Sequence, residues 1–216
     1  MKNAADMKGV IMTDNVIEHT SLLNHKGEEA HLVNATDLIL RQVCEPFDFE
    51  NPQRDPVEMF QTMRDIMCTQ KGIGLAAPQI GLPYRMFVMG NPSERDSCIA
   101  VFNPILLGTI DDQIVEYEEG CLTYRGLFLK IKRARAVRVR YTNENGNTDT
   151  TKFDGLTARV FLHELDHLNG ILYTKRAHPY HVEKAKKDLK KLIKRRGNAG
   201  LFGASHQPIS QPVVKA

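Results

Sequence analysis

The 216-residue chain lacks any apolar run that approaches the ~20 residues a membrane-spanning helix needs. Residues 1–20 lack the apolar centre of a secretory signal, and three acidic side chains there (Asp6, Asp14 and Glu18) argue against an organellar transit peptide. The chain has only four cysteines, and none of them forms a CxxC pair or belongs to a disulfide-type spacing. These absences predict a cytoplasmic protein with reduced thiols and no contact with a membrane.

The composition bounds the domain organisation. Hydrophobic residues make up 42% of the chain, which is enough for one sizeable core. Residues 1–36 are polar with weak periodicity and are predicted to be an extension. Residues 37–180 are predicted to form the main domain, 181–196 a basic amphipathic helix, and 197–216 a disordered tail rich in Gly, Ser, Pro and Gln. The net charge of +3 comes mainly from the lysines of the basic helix.

A helix is predicted to begin at Asp55. Asp55 can act as the N-cap, Pro56 needs no donor at the first helical position, and Glu58 completes a capping box. Gly72 is the predicted C-terminal stop. Apolar residues recur at helical spacing between these signals and are predicted to pack in the core: Met59, Phe60, Met63, Ile66 and Met67.

The segments after this helix are short and rich in Val, Ile, Phe and Tyr, as strands are. They cover residues 84–89, 99–107, 114–122, 127–132, 136–141 and 148–153, and the NENGN sequence at 143–147 predicts a hairpin turn. A second helix is predicted from Asp154 to Asn169, with Gly170 as its stop. The order of helix, strands and helix predicts an α+β fold in which antiparallel sheets pack around this second helix, with the earlier helix and the C-terminal helix outside.

The second helix carries the sequence FLHELDHLNG at 161–170. His163 and His167 are four residues apart, so both imidazoles lie on one helical face and can bind one ion. Glu164 projects beside them and can accept a proton from water at that ion. The same face carries Leu156, Val160 and Leu168, and solvated surface histidines rarely have such neighbours. The pattern therefore favours a metal site.

A catalytic site of this type needs a third protein ligand and an open position for water. The candidates are Cys121, Asp166, Glu118, Glu119 and the distant histidines. Asp166 points away from the face of the two histidines and suits a supporting role. Cys121 ends a predicted strand, but a single cysteine is more often a small buried apolar residue. Residue types alone leave the third ligand open.

Three motifs together resemble the peptide deformylase family over residues 37–176. The chain has GIGLAAPQ at 72–79, EGCLT at 119–123 and HELDHLNG at 163–170, which are similar to the family's GxGLAAxQ, EGCLS and HExDHLxG in the same order. The resemblance implies that Cys121, His163 and His167 bind one divalent metal ion. Iron(II) is typical of the family, and zinc, nickel or cobalt can replace it.

The resemblance also implies the reaction, which is removal of the formyl group from the N-terminal formylmethionine of nascent polypeptides. A metal-bound hydroxide attacks the formyl carbon, and Glu164 serves as general base and then general acid. The Gln79 side-chain amide and the Leu122 backbone N–H are the implied donors to the formyl oxygen. Asp166 and Arg133 are expected to pair behind the metal ligands. The implied substrate-binding residues are Ile73, Gly74, Glu119, Gly120, Leu156 and Val160.

The chain departs from the family pattern at three places. Leu162 replaces a glutamine, Thr123 replaces a serine, and Tyr124-Arg125 replaces a hydrophobic-proline pair. None of these changes removes an implied ligand, so they bear on substrate preference and on the rim of the site. Two other functions compete: an HExxH metallopeptidase, and a catalytically silent homologue that binds ribosomes. The basic helix at 181–196 suits contact with RNA phosphate, and such a helix can dock on the ribosome in bacterial family members. The alternative is a solvated helix face whose apolar stripe covers the core.

Overall fold

The computed structural model describes residues 30–196 of the chain. Most of the predicted extension (1–29) and the whole predicted tail (197–216) lie outside the described residues. The end of the predicted extension packs against the main domain, since Ala30 is buried and Val33 N donates to Gln79 O at 2.9 Å. The proposed division of the chain at residue 36 therefore falls within a packed segment.

Helix α1 spans Pro56–Thr69. The Asp55 carboxylate accepts bonds from Val57 N (2.8 Å) and Glu58 N (3.1 Å), which confirms the predicted N-cap. The helix ends differently from the prediction. Lys71, with φ 57°, takes the left-handed position that was predicted for Gly72, and Gly72 N then donates to Met67 O at 2.9 Å. The predicted apolar face is confirmed as core, with Met59, Phe60, Met63 and Met67 buried and Ile66 packed against them.

Within residues 30–196, seven antiparallel strands form two sheets. The larger sheet has the order β1-β2-β3-β6-β7, and the smaller is the β4–β5 hairpin. The bounds are β1 Gly74–Ala76, β2 Met86–Met89, β3 Ile99–Thr109, β4 Ile114–Cys121, β5 Tyr124–Ala134, β6 Ala136–Thr142 and β7 Thr148–Asp154. The predicted turn at 143–147 joins β6 to β7, where Asn143 N donates to Asn147 O at 2.8 Å.

Strand β1 has no counterpart among the predicted strands. Its sequence is GLA, it is buried throughout, and three residues are too few to show a period of two. It pairs only with β2, so its other edge is free of strand partners within the described sheet.

Helix α2, Gly155–Leu168, lies between the two sheets. It contacts β1, β2, β6 and β7 on one side and β5 on the other, which confirms the predicted central helix. Asp154 precedes it, but the Asp154 side chain makes no cap bond and lies near Arg135 and Lys152 instead. Gly170, with φ 69°, ends the helix as predicted, and a Cβ there would come within 2.6 Å of Arg41 O.

Helix α3, Pro179–Arg196, packs its apolar stripe onto the hairpin. Val182 is buried, and Ala185 and Leu189 pack against Leu129 and Tyr173. The stripe continues through half-buried Ile193 and not through Leu192, which is 38% exposed. None of the helices within residues 30–196 has the length and hydropathy needed to cross a membrane.

Candidate metal centre

The structure brings Cys121, His163 and His167 together in the interior. Cys121 is the last residue of β4, and the two histidines lie one turn apart on α2. One potential ligand atom from each residue lies within 4.8 Å of the other two, and all three residues are buried. The Cys121 Sγ atom is 3.4 Å from His167 Nε2. One sulfur and two nitrogens at this separation can coordinate a single ion.

The surroundings of Cys121 favour the charged form of its thiol. Burial alone would raise its pKa, but the charge of His167 and hydrogen bonds from both histidines hold the pKa well below its usual value. The thiolate is the form that binds metals, and a bound cation would stabilise it.

Glu164 lies beside the three ligands and is 4% exposed. Its Oε2 atom is buried and has no hydrogen-bond partner within the described part of the chain. Burial raises the pKa of Glu164, although the positive charges of His163 and His167 oppose that shift. A buried carboxylate with an unpaired oxygen and a raised pKa suits the exchange of a proton with a reacting group.

Gln79 reaches the same site from the 3₁₀ turn Ala77–Ile80, which directly follows β1. Its Oε1 accepts a bond from Ala76 N (2.8 Å), so the side-chain amide is held with Nε2 toward the thiolate. Nε2 lies 3.4 Å from Cys121 Sγ and donates to Thr123 Oγ1 at 3.1 Å. The amide donor is thus presented next to the metal ligands and away from solvent.

The position of Glu119 differs from the prediction that it contacts the substrate at the pocket rim. The side chain is buried, and its Oε2 lies 2.9 Å from His163 Nδ1. The hydrogen bonds of His163 and Arg133 outweigh the burial that opposes them and lower the pKa of Glu119 to about 2. The ionised carboxylate can only accept, so His163 Nδ1 donates and Nε2 is left to bind a metal. The strand alternation explains the difference, since Glu119 points inward like Cys121, two residues later.

Asp166 lies behind the ligands with Arg133, which donates from Nη1 to Asp166 Oδ2 at 2.9 Å. Arg133 also donates two bonds to Glu119, from Nε at 2.6 Å and from Nη2 at 2.9 Å. Arg176, which follows the 3₁₀ turn Tyr173–Lys175, donates two further bonds to Asp166. Asp166 therefore reaches His163 only through Arg133 and Glu119.

The other predicted substrate-binding residues surround the site at different depths. Gly74 faces Glu164 so closely that an added Cβ would overlap Glu164 Oε1 and come within 2.9 Å of Val160 Cγ1. Val160 is 8% exposed, whereas Ile73 and Leu156 are 41% and 42% exposed. Gly120 turns away from the metal ligands and is covered by the ring of Phe128. Leu122 is buried beside Gly72.

Sequence reasoning missed Arg159, Arg176 and the contact between Thr123 and Gln79. Arg159 donates to Glu119 Oε1 at 2.6 Å, across 40 residues of sequence. One signal was available, because Arg159 lies four residues before His163 and a charged residue at that spacing shares its helical face. The partners of Arg176 and Thr123 lie on other elements, and no local pattern indicates them.

The residues present fit one divalent metal ion. A thiolate and two imidazoles form a three-ligand set that leaves one position open, as catalytic sites require. The unpaired Glu164 Oε2 lies next to that set, where a water molecule at the open position could donate to it. The donor set is compatible with iron, zinc, nickel and cobalt and does not select strictly among them.

The chain is similar to known proteins over most of its length. Residues 29–183 match the family model described as polypeptide deformylase. The chain is 39% identical to a peptide deformylase of Thermotoga maritima over 66% of this chain and 84% of that protein. It is 36% identical to a peptide deformylase of Mesorhizobium japonicum over 80% of this chain and 97% of that protein.

The fold is similar to the crystal structure of a peptide deformylase from Legionella pneumophila, with a TM-score of 0.69 and 28% identity over 77% of this chain and 96% of that one. The family model covers most of the described residues and all three sequence motifs. The chain belongs to the polypeptide deformylase family.

Proposed function

We propose that the buried cluster of Cys121, His163 and His167, with Glu164 beside it, hydrolyses the N-terminal formyl group of polypeptides. As a member of its family the chain is a deformylase, a hydrolase that releases formate from an N-formyl amide. The observation that carries the assignment of residues is the approach of the three ligand atoms to within 4.8 Å. A bound divalent ion supplies a nucleophile near neutral pH and polarises the formyl carbonyl.

Glu164 is proposed to move the proton in both directions. Its unpaired Oε2 accepts a proton from the attacking water, and the raised pKa lets the protonated carboxyl donate to the leaving amine. The surrounding burial excludes bulk water, which would otherwise exchange that proton. General acid–base catalysis of this kind typically contributes about 10²–10⁴-fold in rate.

Gln79 is proposed to stabilise the charge that develops on the formyl oxygen. Its Nε2 is already aimed at the cluster and is held by the bond from Ala76 N to Oε1. Because that donor is fixed before the substrate arrives, it needs no reorganisation during the reaction. The Leu122 backbone N–H, next to Cys121 in sequence, is the second proposed donor.

The substrate is proposed to bind as an extended chain along the free edge of β1. Strand addition satisfies backbone hydrogen bonds of both partners, and glycine at position 74 allows close approach to Glu164. Ile73, Leu156 and Val160 provide apolar surface near His163 for a methionine side chain. Because Glu119 is bound to His163 and buried, it is proposed to support the metal ligand and not to contact the substrate.

The native metal is proposed to be Fe²⁺, because iron(II) is typical of the family that the motifs resemble. The donor set also accommodates Zn²⁺, Ni²⁺ and Co²⁺. Anaerobic purification followed by metal analysis tests this choice: about one iron per chain is expected, and stoichiometric zinc with full turnover would contradict it.

Formate release from formyl-Met-Ala-Ser by anaerobically purified, metal-replete protein tests the function. The expected result is release of formate together with free Met-Ala-Ser, and no cleavage of acetyl-Met-Ala-Ser at any amide. Cleavage of an internal peptide bond would instead indicate a metallopeptidase. A metal-bound protein that releases no formate would indicate a silent homologue.

Contact with the ribosome through α3 is a further proposal, supported by the exposed side chains of its lysines. Truncation before α3 would remove buried Val182 from the core, so charge reversal is the cleaner test. Co-sedimentation with ribosomes at low salt should weaken when Lys186, Lys187, Lys190 and Lys194 are changed to glutamate. Unchanged sedimentation would refute the contact. A cytoplasmic location is proposed with it, since that is where nascent chains emerge.

A further inference from the structure

The two histidines of the cluster are supported differently. His163 Nδ1 is 2.9 Å from Glu119 Oε2, so a side chain fixes both the orientation of that ring and the nitrogen left for the metal. His167 Nδ1 is buried without a hydrogen-bond partner among residues 30–196. No side chain within that range therefore fixes the His167 ring through Nδ1, and its Nε2 lies 3.4 Å from Cys121 Sγ. The geometry of the His163 ligand depends instead on whatever holds Glu119 in place.

The carboxylate of Glu119 makes four contacts, two on each oxygen. Oε2 contacts His163 Nδ1 and Arg133 Nη2, both at 2.9 Å. Oε1 accepts from Arg133 Nε and Arg159 Nη1, both at 2.6 Å. The position of the carboxylate is therefore set by two guanidinium groups that act from different directions. Removal of one of them leaves the other to reorient the group.

The two arginines differ in their other partners. Arg133 is shared, because its Nη1 also donates to Asp166. The remaining bonds of Arg159 go to backbone carbonyls of the hairpin, from Nη1 to Ile131 O (3.0 Å) and from Nη2 to Val115 O (2.7 Å). The ring of Tyr117 lies over the Arg159 guanidinium at 5.1 Å, and Arg159 is 4% exposed. Arg159 is thus tied to both hairpin strands while it holds Glu119.

Arg159 and His163 both lie on helix α2. Arg159 precedes His163 by four residues, so the two side chains lie on one face of the helix and meet Glu119 together. Helix α2 therefore supplies both the metal ligand and the cation that places the acceptor of that ligand. A change at Arg159 would therefore act on the metal ligand through Glu119.

We propose that Arg159 is a positioning residue for His163, which holds the Glu119 carboxylate against Nδ1 and thereby sets the direction of Nε2 toward the metal. The inference rests on the proposed metal-dependent hydrolysis. Without Arg159, the guanidinium that remains at Glu119 within the described residues is that of Arg133, which is shared with Asp166. Loss of the His163–Glu119 contact loosens a metal ligand without touching the substrate.

Three variants test this role: Arg159→Met, Arg159→Lys and the control Arg135→Met. Arg135 forms exposed ion pairs with Asp111 and Asp154 and does not contact the cluster. Each protein is loaded with Co²⁺. The visible spectrum and the rate of Co²⁺ loss to a chelator are then recorded, and the unfolding temperature of the metal-free protein is measured separately.

Arg159→Met is expected to lose Co²⁺ ~10–100-fold faster than the parent protein and to shift the visible bands. Its kcat should fall while KM for formyl-Met-Ala-Ser changes by less than about twofold, because substrate contacts are intact. Arg159→Lys should recover part of the loss, since a cation can still reach Glu119. Arg135→Met should match the parent in spectrum and metal loss.

A lower unfolding temperature with an unchanged spectrum and unchanged metal loss would overturn the proposal and make Arg159 a purely structural residue. If Arg159→Met does not fold, Arg159→Gln takes its place, since it keeps a polar side chain near the hairpin carbonyls but lacks the charge, and Co²⁺ loss at the parent rate in that variant would refute the role. Absence of formate release by the parent protein would refute the proposed function. The spectral and metal-loss comparison would still report on Arg159 in that case.

Discussion

Helices α2 and α3 both carry many ionisable residues but place them in opposite environments. On α2, Arg159, His163, Glu164, Asp166 and His167 are all buried. On α3, the lysines are exposed, and the helix contacts the hairpin through an apolar stripe that includes Val182 and Leu189. Ionisable side chains therefore have different roles on the two helices. Those of α2 are enclosed at the cluster, and several have fixed partners there, whereas those of α3 are exposed to solvent and to a partner with negative charge.

The cost of separating a charge from its partner differs accordingly. The side chains of Arg133 and Glu119 are both 5% exposed, so water cannot replace a lost partner. The Lys191–Asp188 pair on α3 spans 3.6 Å with side chains 70% and 56% exposed, and water solvates either group alone. The difference predicts that substitutions around α2 change activity or stability strongly, whereas substitutions of exposed charges on α3 change them little.

The largest effect is expected for Glu164→Gln, which keeps the shape of the side chain but cannot accept the proton. kcat for formate release should fall by about 10²–10⁴-fold. The variant should still bind one metal ion per chain, because Glu164 is not one of the three clustered ligands. Steady-state kinetics and metal analysis on the same sample test this, and turnover near the parent rate would rule out Glu164 as the base.

Arg133→Met should destabilise the metal-free protein by about 3–5 kcal/mol, because Glu119 and Asp166 each lose a buried partner. Urea denaturation of the metal-free protein measures the free energy of unfolding. Arg138→Met, on the exposed face of β6, is the matched control and should change it little. Equal changes in the free energy of unfolding for the two substitutions would show that the buried ion pairs around α2 contribute no more to stability than an exposed arginine does.

Gln79→Ala should lower kcat by about 10²–10³-fold, which corresponds to ~2.7–4 kcal/mol of transition-state stabilisation. The unfolding temperature should change less than in Arg133→Met, since the loss is one neutral side chain. The milder variant Thr123→Val removes only the hydroxyl that Gln79 Nε2 bonds. A comparison of kcat in the two variants separates the effect of losing the Gln79 amide from the effect of losing the Thr123 hydroxyl that positions it. Full activity of Gln79→Ala would refute the donor role.

The smallest effect is expected for Lys191→Ala, which removes an exposed ion pair on α3. The free energy of unfolding should change by no more than ~0.5 kcal/mol. Formate release should equal that of the parent protein. Thermal unfolding at low and high salt measures the effect. A loss of unfolding free energy comparable to that of Arg133→Met would show that the packing of α3 on the hairpin depends on its exposed charges.

Much of the fold followed from local patterns. Met59, Phe60, Met63 and Met67 show helical spacing, and their burial confirms the predicted core face of α1. The NENGN turn was predicted because Asn and Gly favour the backbone angles of a hairpin. Strand β1 was missed, because three residues are too few to show a period. Lys71 at a left-handed position was also missed, since the neighbouring Gly72 is the expected residue there.

By itself the sequence determined that His163 and His167 share one face of a helix, because residues four apart in a helix lie one turn apart. Cys121 was predicted as the third ligand only through the resemblance of three motifs to a known family. Only the tertiary structure decided the surroundings of the metal cluster. The position of Glu119 at His163, the shared support by Arg133 and Arg159, and the ties of Arg176 to Asp166 all join separate elements. Such contacts depend on which elements pack against each other, and the periodicity of the sequence does not predict that packing.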